Sequence, residues 1–322
     1  PAPSVAATAA PAGTTASAPP TARLEEAPAP AGPPWRRRGR VTLLLLGGDA
    51  GFGRSGLRTD SMVVVTLDLR SGFAALFSVP RNAQRVPLSG VLAERLGPVF
   101  EPLLNELYDE ARAHPEWFPK ARDPGAAALK QTLADLTGLP IDYYALVDLK
   151  GFYEVVRAFG GVDVVVPERV LDRVSPPSPE LDWIRIDLQP GLQHLDAAQT
   201  FAYVRARSQS SDWSRIRRQR CVLAALAADA TPRRVLRILP GLLRTLRDNV
   251  TTDIPRGVLP DLVDLAAGLD RRHVLSFGFV PPDYTVGGAP DVAAIQALVR
   301  SVVEHPAGRP FESAAGDACR SA

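Results

Sequence analysis

The sequence is poor in cysteine, lysine, histidine and methionine, and no apolar run in it is long. Two cysteines, Cys221 and Cys319, allow one disulfide or two idle thiols and are too few for a structural zinc site. His114, His194, His273 and His305 are scattered singly, which argues against a histidine-based metal centre. Purely apolar runs such as residues 43–46 and 62–65 fall far short of the about 20 residues that cross a bilayer. An excess of one charge is also missing. Lysine and arginine number 37 against 35 aspartates and glutamates, and a net charge of +2 argues against a dedicated nucleic-acid binder. The nucleotide, zinc-protease and serine-hydrolase motifs G-x-x-x-x-G-K-[ST], H-E-x-x-H and G-x-S-x-G are all lacking.

What is present divides unevenly along the 322 residues. Residues 1–34 hold nine prolines and twelve alanines with almost no large apolar side chains. Such a segment buries too little surface to offset its ordering entropy, so residues 1–40 read as a disordered linker with a basic end at Arg36–Arg40. That end reads as a solvated charge cluster or a contact for a membrane surface or anionic polymer. The chain starts at Pro1, as a processed or truncated product would. Residues 41–305 read as one α/β domain, and residues 306–322 as a flexible tail.

Within that domain, residues 41–46 read as a strand and 47–59 as a Gly-rich loop. Residues 61–69 and 73–79 then form a hairpin around Arg70-Ser71-Gly72. Helices are expected over 99–113, 124–136, 149–159, 196–205, 212–229, 235–247, 257–269 and 292–303. Further strands are expected over 141–146, 162–166, 183–188 and 273–280. Interleaved strands and helices with a tight hairpin imply a three-layer α/β/α fold around a mixed sheet.

Gly51-Phe52-Gly53-Arg54-Ser55-Gly56 matches the dinucleotide fingerprint G-x-G-x-x-G, but that motif needs a helix after it to receive a pyrophosphate. A strand follows here, so the Rossmann reading is rejected. The same loop carries Asp49, Arg58 and Asp60 at the C-terminal end of a strand, where ligands of open α/β sheets collect. Two carboxylates suit a hard cation such as Mg2+ completed by phosphate oxygens and water; the alternative is two solvated loop carboxylates.

The other charged concentration is at Tyr203-Val204-Arg205-Ala206-Arg207 and the following Asp212, Arg215, Arg217, Arg218, Gln219 and Arg220. At 100° per residue Asp212, Arg215 and Gln219 share a face with Ile216, Leu223 and Leu226, whereas Arg217 lies off it. Charges on an inward stripe break the usual burial pattern. An internal Asp–Arg pair that fixes the inter-helix turn is one explanation. An arginine cradle for phosphates, joined by Arg81 from the sheet edge, is the other.

These pieces together resemble the LytR-CpsA-Psr family of extracytoplasmic phosphotransferases. In order, they are Leu44-Leu45-Leu46-Gly47-Gly48-Asp49, Arg58-Thr59-Asp60-Ser61-Met62 and Ser78-Val79-Pro80-Arg81. Then come Ile141-Asp142-Tyr143-Tyr144, Gly160-Gly161-Val162-Asp163-Val164, Tyr203-Val204-Arg205-Ala206-Arg207 and Asp212-x-x-Arg215-x-x-Arg218-Gln219. The resemblance implies transfer of a glycopolymer phosphate from a polyprenyl-pyrophosphate carrier to peptidoglycan, commonly to the muramic acid 6-hydroxyl. It also implies an N-terminal membrane anchor and an apolar tunnel for the prenyl tail. Carried over by residue, Asp49 and Asp60 serve Mg2+, with Arg81 beside them as a catalytic residue. Arg58, Arg81, Arg205, Arg207, Arg215, Arg218 and Gln219 line the pyrophosphate, and Asp212 and Asn105 support them.

Two positions depart from the family pattern. Asn82 stands where an Asp follows the family's Ser-Ile-Pro-Arg, and Leu103-Leu104-Asn105 stands where the family has Lys-Ile-Asn. Each removes a charge near the phosphates. They leave open a non-catalytic polyprenyl-phosphate or wall-glycan binding protein, and a lipid-carrier pyrophosphatase. Arginine and alanine usage suggests an actinobacterial source, with arabinogalactan or a related polymer as cargo. An oxidising location would permit a Cys221–Cys319 bridge, with Cys221 on the outward side of its helix.

Overall fold

The apolar run at residues 43–46 lies in the middle of a mixed sheet with side chains packed against both of its faces, which explains why it does not alternate with polar residues. The structure, a computed structural model, describes residues 33–49, 58–207, 212–231, 233–235, 237–238, 241, 248–268 and 274–305, without the side chains of Asp212 and Ala267. Most of the expected linker, the expected tail, the G-x-G-x-x-G stretch and much of the helix expected over 235–247 lie outside the described residues.

In chain order the elements begin with α1 (Pro34–Arg38), β1 (Arg40–Gly48), β2 (Thr59–Asp68), β3 (Ala74–Val79), β4 (Val86–Pro87) and α2 (Gly90–Leu96). Next come β5 (Val99–Phe100), α3 (Glu106–Ala113), α4 (Pro124–Thr137), β6 (Tyr143–Val147), α5 (Leu149–Ala158) and β7 (Val162–Val166). Then follow β8 (Val170–Val174), β9 (Ile184–Leu188), β10 (Gly191–Leu195), α6 (Ala197–Arg205) and α7 (Asp212–Asp229). The last are β11 (Val250–Thr252), α8 (Leu259–Ala267), β12 (Val274–Gly278), β13 (Thr285–Val286), β14 (Ala289–Pro290) and α9 (Val292–Glu304).

The sheet order is β11-β6-β1-β2-β3-β12. β1 and β6 run parallel, as do β3 and β12, while β2 runs against both of its neighbours. The mixed sheet and its hairpin therefore match the expected α/β class. One face carries Leu44, Leu46, Met62, Val64 and Phe77 into a core with Leu129 and Leu133 of α4 and Ile295 and Val299 of α9. The other presents Val63, Leu76 and Val274 to Leu223 and Ala227 of α7. A separate cluster joins α5, α6, the two-stranded ribbons β7–β10 and β8–β9, and Val222 and Leu226 of α7.

Sequence chemistry sets many of the boundaries. Asp123, Asp148, Asp196 and Asp291 each accept a hydrogen bond from a first-turn amide of the helix that follows, and Asp196 closes a capping box with Gln199. Gly138 ends α4 in the left-handed region at φ 70°.

Several expectations need correction. The helix expected over 99–113 begins only at Glu106; residues 99–100 pair instead with 86–87, and Pro102 disfavours helical geometry at Glu101. β8, β10, β11 and α2 were not anticipated, since three to seven residues carry little periodic signal. Cys221 is buried rather than outward, because α7 packs against α6, β7 and β12 together; it is disulfide-bonded, and Cys319 lies outside the described residues. In the basic run, Arg36, Arg38 and Arg40 pair with Asp261, Asp142 and Asp68 rather than standing as a purely solvated cluster.

Candidate functional site

The strand directions bring the C-terminal ends of β1, β3, β6 and β12 to the same sheet edge as the start of β2. Asp49 follows β1, Asp60 opens β2 and Arg81 follows β3, so three distant sequence positions meet there. A register shift at Gly47/Gly48 precedes Asp49. A side chain at Gly47 would place its Cβ 2.9 Å from that of Ser61, so the close approach of β1 and β2 requires glycine. The Asp49 backbone N–H donates to the Arg58 carbonyl (2.9 Å), and the Arg58 N–H donates to Asp49 Oδ1 (2.7 Å). Arg81 Nη1 lies 2.7 Å from Asp60 Oδ1, in an ion pair about three-quarters shielded from solvent.

From this edge a cavity of about 480 Å³ runs between the sheet and helices α5, α6 and α7. Its polar lining comes from Asp49, Asp60, Asp148, Asp172, Arg173, Arg205, Arg207, Arg215 and Gln219. Its apolar lining comes from Leu45 and Val63 of the sheet, Phe152 and Val155 of α5, Phe201 and Val204 of α6, and Leu223 and Leu226 of α7. Along α7 the lining passes from Arg215 to Leu226, a rise of about 16 Å, so charge sits at one end and hydrocarbon at the other. A second hollow of about 900 Å³ opens at the far end of the sheet, beside Lys130, Tyr144 and Asp253. None of the sequence-predicted site residues lines it, so size alone does not mark the site.

The predicted residues divide in two. Asp49, Asp60, Arg205, Arg207, Arg215 and Gln219 all line the cavity. Arg205 extends over the Phe201 ring and reaches the Ser175 carbonyl (3.3 Å), and Arg215 is only 4% exposed. Arg207 is exposed, its backbone N–H held by Asp172 Oδ2 at 2.7 Å. Arg81 does not line the cavity itself but grips Asp60, which does. Arg58 is exposed beside Asp49. Arg218 is not brought to the cavity: it is 3% exposed, donates to the Ala206 carbonyl and stacks over Tyr203, and burial lowers its pKa. Asn105 is buried, with its N–H on the Arg81 carbonyl (3.1 Å), and its Oδ1 has no partner among the described residues. Asn82 Oδ1 is likewise without one, and Leu103 is half-buried. The side chain of Asp212 lies outside the described residues.

The family model of LytR_cpsA_psr matches residues 9–283. The chain belongs to the LytR-CpsA-Psr family.

Among relatives, it is 25% identical over 256 residues to the Bacillus subtilis polyisoprenyl-teichoic acid–peptidoglycan teichoic acid transferase TagV, covering 77% of this chain and 60% of TagV. It is 32% identical over 187 residues to a probable cell wall biosynthesis protein, LcpB, of Corynebacterium glutamicum, covering 58% of this chain and 36% of LcpB. The chain thus spans at most about 60% of these two relatives. The crystal structure of B. subtilis TagV superimposes with a TM-score of 0.61, covering 84% of this chain and 98% of that one. TagT bound to LIIa-WTA superimposes at 0.57 with 22% identity, covering 83% and 91%, and supports the fold.

Three residues of this LytR-CpsA-Psr member escaped the motif reading. Asp148 lines the cavity while capping α5 through the Gly151 N–H (2.7 Å), and burial raises its pKa. Asp109 on α3 also has a raised pKa, through burial first, with Arg58 and Asp49 both close enough to act on its charge. Arg220 is buried with its pKa lowered to about 10 by desolvation, its guanidinium pressed against Gly278 of β12. Sequence distance hides Asp109 and Asp148, whereas Arg220 was visible as a charge but its side of the helix was not.

Proposed function

We propose that this chain transfers a glycopolymer phosphate from a polyprenyl-pyrophosphate carrier to a hydroxyl of peptidoglycan at the outer face of the membrane. The observation that carries this reading is one cavity with arginines and carboxylates at its mouth and an apolar sleeve behind them. That polarity fits an amphiphile with a multiply charged phosphate head and a hydrocarbon tail. Kinship to TagV, named for transferring teichoic acid from a polyisoprenyl carrier to peptidoglycan, supports the same class of reaction.

In this reading Arg205, Arg207, Arg215 and Gln219 hold the non-bridging pyrophosphate oxygens, and Arg81, fixed by Asp60, adds positive charge at the sheet edge. The acceptor hydroxyl attacks the phosphorus that bears the glycan. The bond from that phosphorus to the bridging oxygen breaks, polyprenyl phosphate leaves, and the hydroxyl proton passes to a mouth carboxylate. No nucleotide is needed, because the pyrophosphate linkage supplies the driving force. Asp49 and Asp60 line the same mouth, a donor set that fits Mg2+ once phosphate oxygens complete its shell; among the described residues no cluster of three acidic, His or Cys groups would hold it alone. When bound, it would neutralise charge on the phosphates.

The test supplies a labelled lipid-pyrophosphate glycan and peptidoglycan with Mg2+ to wild type and to Arg81→Ala. Label should reach peptidoglycan with wild type and fall ~10²–10³-fold with the variant. Release of label to solvent would make the chain a pyrophosphatase, and retention of intact label a binding protein. Equal yields from both proteins would remove Arg81 from the site.

A further inference from the structure

The β8–β9 hairpin forms one wall of the cavity mouth through Asp172, Arg173, Val174 and Ser175. Its inward residues Val170, Val174, Ile186 and Leu188 are buried in the α5–α6 cluster. Its outward face has a different character. Arg173 and Arg185 stand directly opposite each other across the antiparallel ladder, a pairing of like charges that destabilises a hairpin. Among the described residues neither guanidinium has an ion-pair or hydrogen-bond partner, although Asp187 two residues from Arg185 is taken by Arg169. Trp183 precedes β9 and is 56% exposed, while Trp35 is buried. The Arg173 guanidinium sits 5.0 Å from its ring centroid. Leu171, on the outward side of β8, is exposed as well.

The like-charge pair costs the hairpin stability, and the cation–π contact of Arg173 with Trp183 offsets part of that cost while the indole stays more than half exposed. All three features become favourable with one kind of occupant. A pyranose ring offers a face of C–H bonds that packs on the electron-rich face of an indole. A phosphate or carboxylate on the same sugar takes charge-assisted hydrogen bonds from arginine and relieves the repulsion between the pair. We propose that Trp183, Arg173 and Arg185 form a subsite for an anionic saccharide at the rim of the cavity. Arg173 belongs both to the rim and to the stack on Trp183, so the bound sugar sits next to the carboxylates and arginines of the mouth. The subsite deepens the transferase reading and rests on it for its role. The anion has two candidate sources, a phosphate of the donor glycan or the lactyl carboxylate of an acceptor muramic acid that carries no stem peptide.

The test titrates the full chain, its tryptophan indole N–H signals followed by NMR, with N-acetylglucosamine 1-phosphate, N-acetylmuramic acid and neutral N-acetylglucosamine. Wild type should bind an anionic sugar about tenfold more tightly than the neutral one, and the tighter of the two anionic probes names the source. Trp183→Ala should lose about tenfold toward the anionic sugars, Trp183→Phe should keep most of the affinity, and Arg185→Gln should erase the preference for charge. Anionic sugars binding Trp183→Ala as tightly as wild type, or binding neither protein, would overturn the subsite. Farnesyl pyrophosphate is titrated in parallel. Its failure to bind wild type would sink the transferase reading while leaving the sugar titration to stand by itself.

Discussion

The two faces of the central sheet are built from alternate residues of the same strands, yet they are used in opposite ways. Leu44, Leu46, Met62 and Val64 point into a closed core with α4 and α9. Leu45 and Val63, their immediate neighbours, face the side that holds the 480 Å³ cavity. One face concentrates contact and therefore stability. The other forgoes part of that contact to keep space for a ligand, and α7 spans both roles by contributing Leu223 to the cavity lining and to the sheet-side packing. A strand's two-residue period is what lets adjacent positions serve different ends.

The sharpest way to break this comparison is a pair of substitutions one residue apart. Leu44→Ala should cost ~3–5 kcal/mol in urea unfolding, because a closed core cannot collapse around the deletion. Leu45→Ala should cost only about 1 kcal/mol, since its side chain already borders open space; equal losses would mean that the two faces are not differently packed. Asp60→Asn comes next. Breaking its 2.7 Å pair with Arg81 should lower transfer ~10²–10³-fold, while stability falls by less than about 1 kcal/mol because the pair is partly solvated. Filling the cavity with Leu223→Trp should weaken farnesyl pyrophosphate binding by roughly tenfold with little change in Tm. The smallest effect belongs to the β7–β10 ribbon. The hydrogen bond that His194 Nδ1–H donates to Asp163 raises the His194 pKa above 6.5, so its stabilisation is complete below pH 6.5 and fades as pH rises through the raised value. Unfolding midpoints compared between pH 6 and pH 9 should show a fall in wild type that Asp163→Asn removes.

Much of the cavity lining was legible because its charged and apolar residues are concentrated in short segments. Arg215, Gln219, Leu223 and Leu226 follow helical spacing, and all four line the cavity. Asp49 and Asp60 lie on either side of one loop, so their meeting needs only an antiparallel turn. What escaped was the other shell of the site. Arg218 looked equivalent to Arg215, but three residues turn it about 60° around the helix, into the Ala206 carbonyl. Asp109 and Asp148 belong to segments with no motif of their own, and β8 lies between residues 166 and 183, where the sequence pattern predicts no element.

Cysteine supply and apolar run length were simple limits, and they held their meaning to different degrees. The sequence by itself determined the α/β pattern, the caps, the glycine at position 47 and the set of charged groups available for a phosphate. Those depend on contacts within a few residues or on periodicity, which the chain carries locally. Only the tertiary structure decided which arginines reach the cavity and which are buried in the packing, and that Cys221 is covered. It also brought Trp183 against Arg173, which lines the cavity. Those outcomes depend on which surface of a helix or hairpin another element covers, a property of long-range packing that no local pattern encodes.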